Sequence, residues 1–128
     1  NKFNTITDKV RIYGFINDMG KAYAAADLVV CRAGISSIME LSLTAKPAIL
    51  IPYPYAAENH QELNAKALVN RESAVMIRED KISEILIDEI KTIISDDEKL
   101  LRLSNNISKI YDNDAPSKIY KEIKSILK

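Results

Sequence analysis

The sequence predicts an α/β fold, a parallel sheet with helices on both faces. Three observations predict it. Short apolar or β-branched runs alternate with segments of helical period over residues 10–77. Turn residues separate them, and each parallel pairing requires a crossover that the intervening helical segment supplies.

Taken in order, Val10 to Phe15 reads as a short strand, and Asn17-Asp18 as the turn after it, with Asp18 the cap of a helix. Met19, Ala22, Tyr23 and Ala26 recur at helical spacing. Leu28 to Cys31 is a continuous apolar run, expected of a strand covered on both faces. Ile35, Ile38, Met39, Leu41 and Leu43 predict the next helix, which Lys46-Pro47 breaks, and Ala48 to Ile51 predicts another buried strand. A loop with Pro52 and Pro54 leads to a helix around Glu58 to Asn70 with Leu63, Ala67 and Leu68 on one face, then to a strand at Ala74 to Ile77.

Beyond Ile77 the period is helical throughout. Ile82, Ile85, Leu86, Ile90 and Ile93 mark one amphipathic helix; Leu100, Leu101, Leu103, Ile107 and Ile110 a second; Ile119, Ile123, Ile126 and Leu127 a third. Ser95-Asp96-Asp97 and Asp112-Asn113-Asp114-Ala115-Pro116 supply the breaks. The chain therefore reads as one domain, 1–128, with a β/α core over 1–80 and a helical tail over 81–128.

The 128 residues suffice for a real core, and 18 basic residues cancel 18 acidic ones. That balance argues against a nucleic-acid partner. Cys31 is the sole cysteine, so no intrachain disulfide forms and a reducing cytoplasm is expected. No apolar run approaches the ~18 residues of a spanning helix. The first residue is Asn, and the chain reads as part of a longer polypeptide.

Ligands in such sheets bind beyond the strand C-termini, which directs attention to Phe15–Asp18, Cys31–Ser37 and Pro52–Gln61. Arg32-Ala33-Gly34-Ile35-Ser36-Ser37 carries a buried strand into a helix, where backbone N–H groups and the positive helix end can hold phosphate. On the residues alone a second reading stands beside it: Gly34 makes the turn and a serine caps the helix. Glu40 is either a solvated carboxylate or an acceptor for two ribose hydroxyls. His60 and Gln61 begin a helix and can reach sugar hydroxyls, or His60 is simply an exposed helix-start residue. One histidine with scattered carboxylates makes no recognisable zinc set, so no metal is expected.

Gly14-Phe15-Ile16-Asn17-Asp18-Met19, then Ala24 through Gly34, then Glu40, then His60-Gln61-Glu62-Leu63-Asn64-Ala65 resemble, in this order and spacing, the MurG family of glycosyltransferases over about Val10 to Ile77. The resemblance implies transfer of N-acetylglucosamine from UDP-N-acetylglucosamine to a lipid-linked muramyl-pentapeptide in peptidoglycan synthesis, without metal or other cofactor, at the inner face of the bacterial membrane. It implies two Rossmann-like domains in the GT-B arrangement, this chain being the later part of the second, donor-binding one. The acceptor domain and the glycine-rich phosphate loop then precede Asn1, and this chain alone is not expected to catalyse transfer.

By the same resemblance the backbone at Ile16 meets the uracil and Glu40 the ribose. Gly34, Ile35, Ser36 and Ser37 flank the diphosphate, Arg32 lends charge to the phosphates or braces the loop, and His60 and Gln61 touch the sugar. Asn64 closes the motif structurally. Ala45 and Ser73 stand where the family has glycines, and Asn59 where an acidic residue is common. Two alternatives are kept: another UDP-sugar transferase of the superfamily, and a noncatalytic subunit of a split transferase. The apolar faces of the tail, such as Ile119, Ile123 and Ile126, predict partial self-association.

Overall fold

A computed structural model describes residues 9–112 and 114–127. Three short parallel strands, β1 (Val29–Cys31), β2 (Ala48–Leu50) and β3 (Val75–Met76), pair in the order β1-β2-β3. The register sets Val30 beside Ile49 and Leu50 beside Met76. Helix α1 (Met19–Ala25) precedes β1; α2 (Ile35–Leu43) and α3 (His60–Val69) make the two crossovers; α4 (Ile82–Ile94), α5 (Asp97–Ile107) and α6 (Ala115–Ile126) follow.

Alternation along β2 divides the core. Ala48 and Leu50 pack with Tyr23 of α1, Ile38 and Leu41 of α2 and Ala65 and Leu68 of α3, whereas Ile49 packs with Ile93 of α4 and Leu103 of α5. Successive side chains of a strand point to opposite faces, so one buried three-residue strand serves two helical layers. Two crossovers of one hand, stepping the same way across the sheet, place α2 and α3 on the same face. Helix α5 bridges the layers: Leu103 joins one cluster and Ile107 the other.

Helix boundaries follow local chemistry. Asp18 accepts from the Lys21 amide at 3.0 Å to cap α1, and Asp96 accepts from the Lys99 amide at 2.9 Å to cap α5. Pro116 lies in the first turn of α6, where its missing N–H costs nothing. Asn113, within the break before α6, lies outside the described residues.

Both crossover helices end on a left-handed residue that is not glycine. Ala45 (φ 52°) follows α2, with Lys46 N–H donating to Leu41 O at 2.9 Å; Glu72 (φ 50°) follows α3, with Ser73 N–H donating to Leu68 O at 2.9 Å. Helix α5 holds both turns, because Ser104 Oγ donates to Ala45 O at 2.7 Å and Asn106 Nδ2 to Glu72 O at 3.1 Å. A third tie, from Ser42 Oγ to Ile107 O at 2.7 Å, fixes the end of α5 against α2, and Tyr111 N–H donates to the same hydroxyl.

Several sequence expectations are corrected. Val10 to Phe15 forms no strand: Val10, Ile12, Tyr13 and Phe15 are exposed, and β-propensity without a paired neighbour does not make a ladder. β1 is not covered on both faces; Val30 is 40% exposed, because the layer of α4 and α5 packs over β2 and β3. The inner face of α3 is Ala65 and Leu68, with Leu63 and Ala67 outward. Ile35, Leu43, Ile85 and Leu101 also turn outward. The left-handed residue at the end of α3 is Glu72, not Ser73, so the absent glycine at 73 has no conformational cost there. In α6 no residue is buried, and Ile119, Ile123 and Ile126 are exposed as expected.

Candidate functional site

The loops beyond the strand C-termini gather around Arg32. Its guanidinium pairs with Glu79 Oε2 at 2.6 Å, donates to Ile51 O and Pro52 O at 3.4 Å each, and lies 5.5 Å from the centre of the Tyr53 ring. One side chain thereby joins the ends of β1, β2 and β3. The Glu79 bond holds Arg32 above its ordinary pKa, and the Arg32 bond holds Glu79 below the usual carboxylate range. Of the two roles expected of Arg32, its contacts here are those of a brace.

Behind it, the chain turns from β1 into α2. Gly34 is the N-cap, extended at φ −70° and ψ 147°, and no side chain caps the helix. Ser36 and Ser37 do not cap it either, so the simple capping reading does not hold. The first turn contains no acidic residue, and it presents amides at the positive end of the helix dipole. A Cβ built on Gly34 would meet nothing within 4 Å. Neither the backbone nor the packing of this chain therefore demands glycine at 34; a side chain there would occupy open space before the amides.

Glu40 lies one turn beyond Ser36 and Ser37, on the helix face they share. Its Oε2 accepts from the Tyr23 hydroxyl at 2.8 Å. Tyr23 is the one buried residue of α1, and burial, then the Glu40 contact, pushes its phenol up to about 12. Burial, then Glu40, likewise raises the Cys31 thiol, which fits an inert sulfur.

The loop after β2 reaches α3 through two successive left-handed residues, Glu58 (φ 50°) and Asn59 (φ 54°). Asn tolerates this conformation better than most side chains, which suits Asn59 to its left-handed backbone. Its Nδ2 donates to Glu62 Oε2 at 3.2 Å. The two residues present His60 and Gln61 at the start of α3. His60 Nδ1 lies 2.6 Å from Ala57 O, a carbonyl that can only accept, so this contact is made by Nδ1–H. Gln61 Oε1 accepts from the Tyr53 amide at 3.0 Å, so its NH2 group is the end left to read a ligand. Asn64 Nδ2 donates to Ala33 O at 3.2 Å, tying α3 to the turn before α2.

Arg32, Gly34 to Ser37, Gln61 and Asn64 are thus brought to one edge of the sheet by direct bonds between their loops, with His60 beside Gln61 and Glu40 one turn away. Ile16 is separate. It lines an open pocket of about 480 Å³ with Tyr13, Phe15, Asn17, Asp18 and Lys21, beside Ala22 and Ala25 of α1. Sequence reasoning missed Tyr23, Tyr53 and Glu79 as partners. Glu79 was findable, since its loop also leaves a strand C-terminus.

The family model for the glycosyltransferase family 28 C-terminal domain matches residues 1–119. A UDP-N-acetylglucosamine--N-acetylmuramyl-(pentapeptide) pyrophosphoryl-undecaprenol N-acetylglucosamine transferase of Acetivibrio thermocellus is 44% identical over 120 residues, 93% of this chain and 32% of that protein. The enzyme of the same name from Chlorobaculum tepidum is 54% identical over 90 residues, 70% of this chain and 25% of its own length. The crystal structure of MurG from Acinetobacter baumannii superposes with a TM-score of 0.79 at 26% identity, covering 90% of this chain and 35% of that one. The chain spans a quarter to a third of the length of these relatives.

Proposed function

The chain belongs to the glycosyltransferase family 28 C-terminal domain family, and from that membership we propose that it is the donor-binding part of a transferase moving N-acetylglucosamine from UDP-N-acetylglucosamine to a lipid-linked muramyl-pentapeptide. Relatives at 44% and 54% identity carry the name of that activity. The observation that carries the reading is the uncapped start of α2 behind Gly34, whose missing side chain leaves room for a diphosphate.

In this reading Gly34, Ile35, Ser36 and Ser37 hold the diphosphate. Glu40 accepts from the ribose hydroxyls, the backbone of Ile16 meets the uracil, and His60 and Gln61 contact the sugar. Arg32 keeps the loops in register and adds positive charge nearby. Transfer is a direct displacement: the acceptor oxygen bonds to the anomeric carbon as the bond to UDP breaks, and the acceptor's proton leaves to a base outside this chain. Negative charge grows on the departing diphosphate, which a helix N-terminus stabilises by about 0.3–1 kcal/mol, and up to about 2 kcal/mol when partly buried. The lipid-linked acceptor would bind a preceding domain, at the inner membrane face as a peripheral protein; no described helix is long and apolar enough to cross a membrane. The exposed stripe of Ile119, Ile123 and Ile126 supports self-association of the chain, which sedimentation at increasing concentration tests.

Titration with UDP and with UDP-N-acetylglucosamine tests the reading. Both should bind, with Glu40→Ala weakening both; a folded chain, complete in its donor domain, that binds neither overturns it.

A further inference from the structure

We propose that Tyr23 is a positioning residue for the nucleotide, its hydroxyl holding the Glu40 carboxylate in the orientation that receives the ribose. The proposal rests on the reading of Glu40 as the ribose contact. Glu40 is exposed in the second turn of α2, where a free glutamate would sample several rotamers, and binding would have to freeze them. The phenol removes that freedom beforehand. Tyr23 is 7% exposed, its ring packed in the cluster under α2, and its O–H donates to Oε2 at 2.8 Å.

The geometry leaves capacity for the ligand. An ionised carboxylate offers about four acceptor positions across its two oxygens, and Tyr23 uses one. Oε1 and the rest of Oε2 remain for two adjacent hydroxyls. A buried phenol also needs a partner, so the contact satisfies Tyr23 and orients Glu40 together. Among the described side chains Tyr23 alone donates to the Glu40 carboxylate; Thr44 Oγ1 donates to the Glu40 backbone carbonyl at 2.7 Å. The contact also joins α1 to α2, hence the segment bearing Ile16 to the helix facing the diphosphate.

The test compares UDP with 2′,3′-dideoxy-UDP, which lacks both hydroxyls, on the protein complete in its donor domain and on its Tyr23→Phe variant. Loss of a charge-assisted contact predicts that Tyr23→Phe weakens UDP by about five- to tenfold while leaving the dideoxy analogue within about twofold. In a Glu40→Ala background the same change should have no further effect on UDP. On the unsubstituted chain, the Tyr23 ring resonances should shift on adding UDP and stay in place with the dideoxy analogue, a readout free of any effect on folding. Equal weakening of both ligands, with the circular dichroism unchanged, makes Tyr23 a packing residue and overturns the proposal. So does unchanged UDP affinity in Tyr23→Phe when Glu40→Ala still weakens UDP, and there the ribose reading survives. If Glu40→Ala does not distinguish UDP from its dideoxy analogue, or UDP fails to bind, both fall.

Discussion

Asn64 on α3 donates to the carbonyl of Ala33 at 3.2 Å, so the helix that begins with His60 and Gln61 also fixes the turn that leads to Gly34. Replacing Asn64 by Ala leaves that part-buried carbonyl short of a donor. The expected cost is about 1 kcal/mol of stability, read as a lowered denaturant midpoint at constant slope. UDP affinity should fall with it, because the two loops are no longer held in register.

Gly34→Ala separates stability from binding. The backbone at 34 suits any residue and a Cβ meets nothing within the chain, so stability should change by no more than about 0.5 kcal/mol; the gain in unfolded-state rigidity and the poorer cap oppose each other. If a diphosphate sits before α2, the methyl group displaces it. UDP binding by calorimetry should fall about tenfold, equivalent to roughly 1.4 kcal/mol.

Ala45→Gly should stabilise the chain. Ala45 sits at φ 52°, where an L side chain costs roughly 1–2 kcal/mol, and glycine returns part of the gain through its freer unfolded state. A net increase of about 0.5–1 kcal/mol is expected in the same denaturant measurement. Glycine at Ser73 should bring no such gain, since the left-handed residue there is Glu72.

Tyr23 gives a pH signature. Its folded phenol is pushed up to about 12 from the ordinary 10.0 by burial and by Glu40, so the folded state prefers the protonated form. The contribution is whole below pH 10 and is lost as pH rises from there through about 12. At most about 2–3 kcal/mol is involved. Phenolate absorbance should show a step near pH 12, and Tyr23→Phe should remove it.

Much of the fold was legible because it rests on period and punctuation. The apolar run Ala48 to Ile51 predicts β2, and Asp18 and Asp96 announce their helices by residue type alone. Burial by face was less legible. Leu63 and Leu68 are equally apolar, yet Ala65 and Leu68 meet the sheet while Leu63 does not, because the crossover geometry and not hydrophobicity chooses the inner face. Val10 to Phe15 has strand composition without a ladder. At the site, Gly34 and Gln61 stood out by position after strands, but the pairings Arg32–Glu79 and Tyr23–Glu40 span 47 and 17 residues, and no local pattern encodes them. The strain at Ala45 was visible only as a glycine missing from a family pattern, and the side chains of α5 that restrain it were not visible at all.

Helix α6 has no buried residue and enters neither core cluster, whereas α5 is tied to the rest by Ser104, Asn106 and Ile107. Cooperative unfolding requires shared burial, so α6 forms a separate unit whose opening leaves the sheet and its site intact. Its amides should exchange with solvent while those of β2 are still protected. Cleavage between Tyr111 and Ala115 should then release it and leave a nucleotide-binding remnant. Substitutions on α6 should therefore leave the packing around Gly34 and Glu40 unchanged, since the two regions share no core cluster.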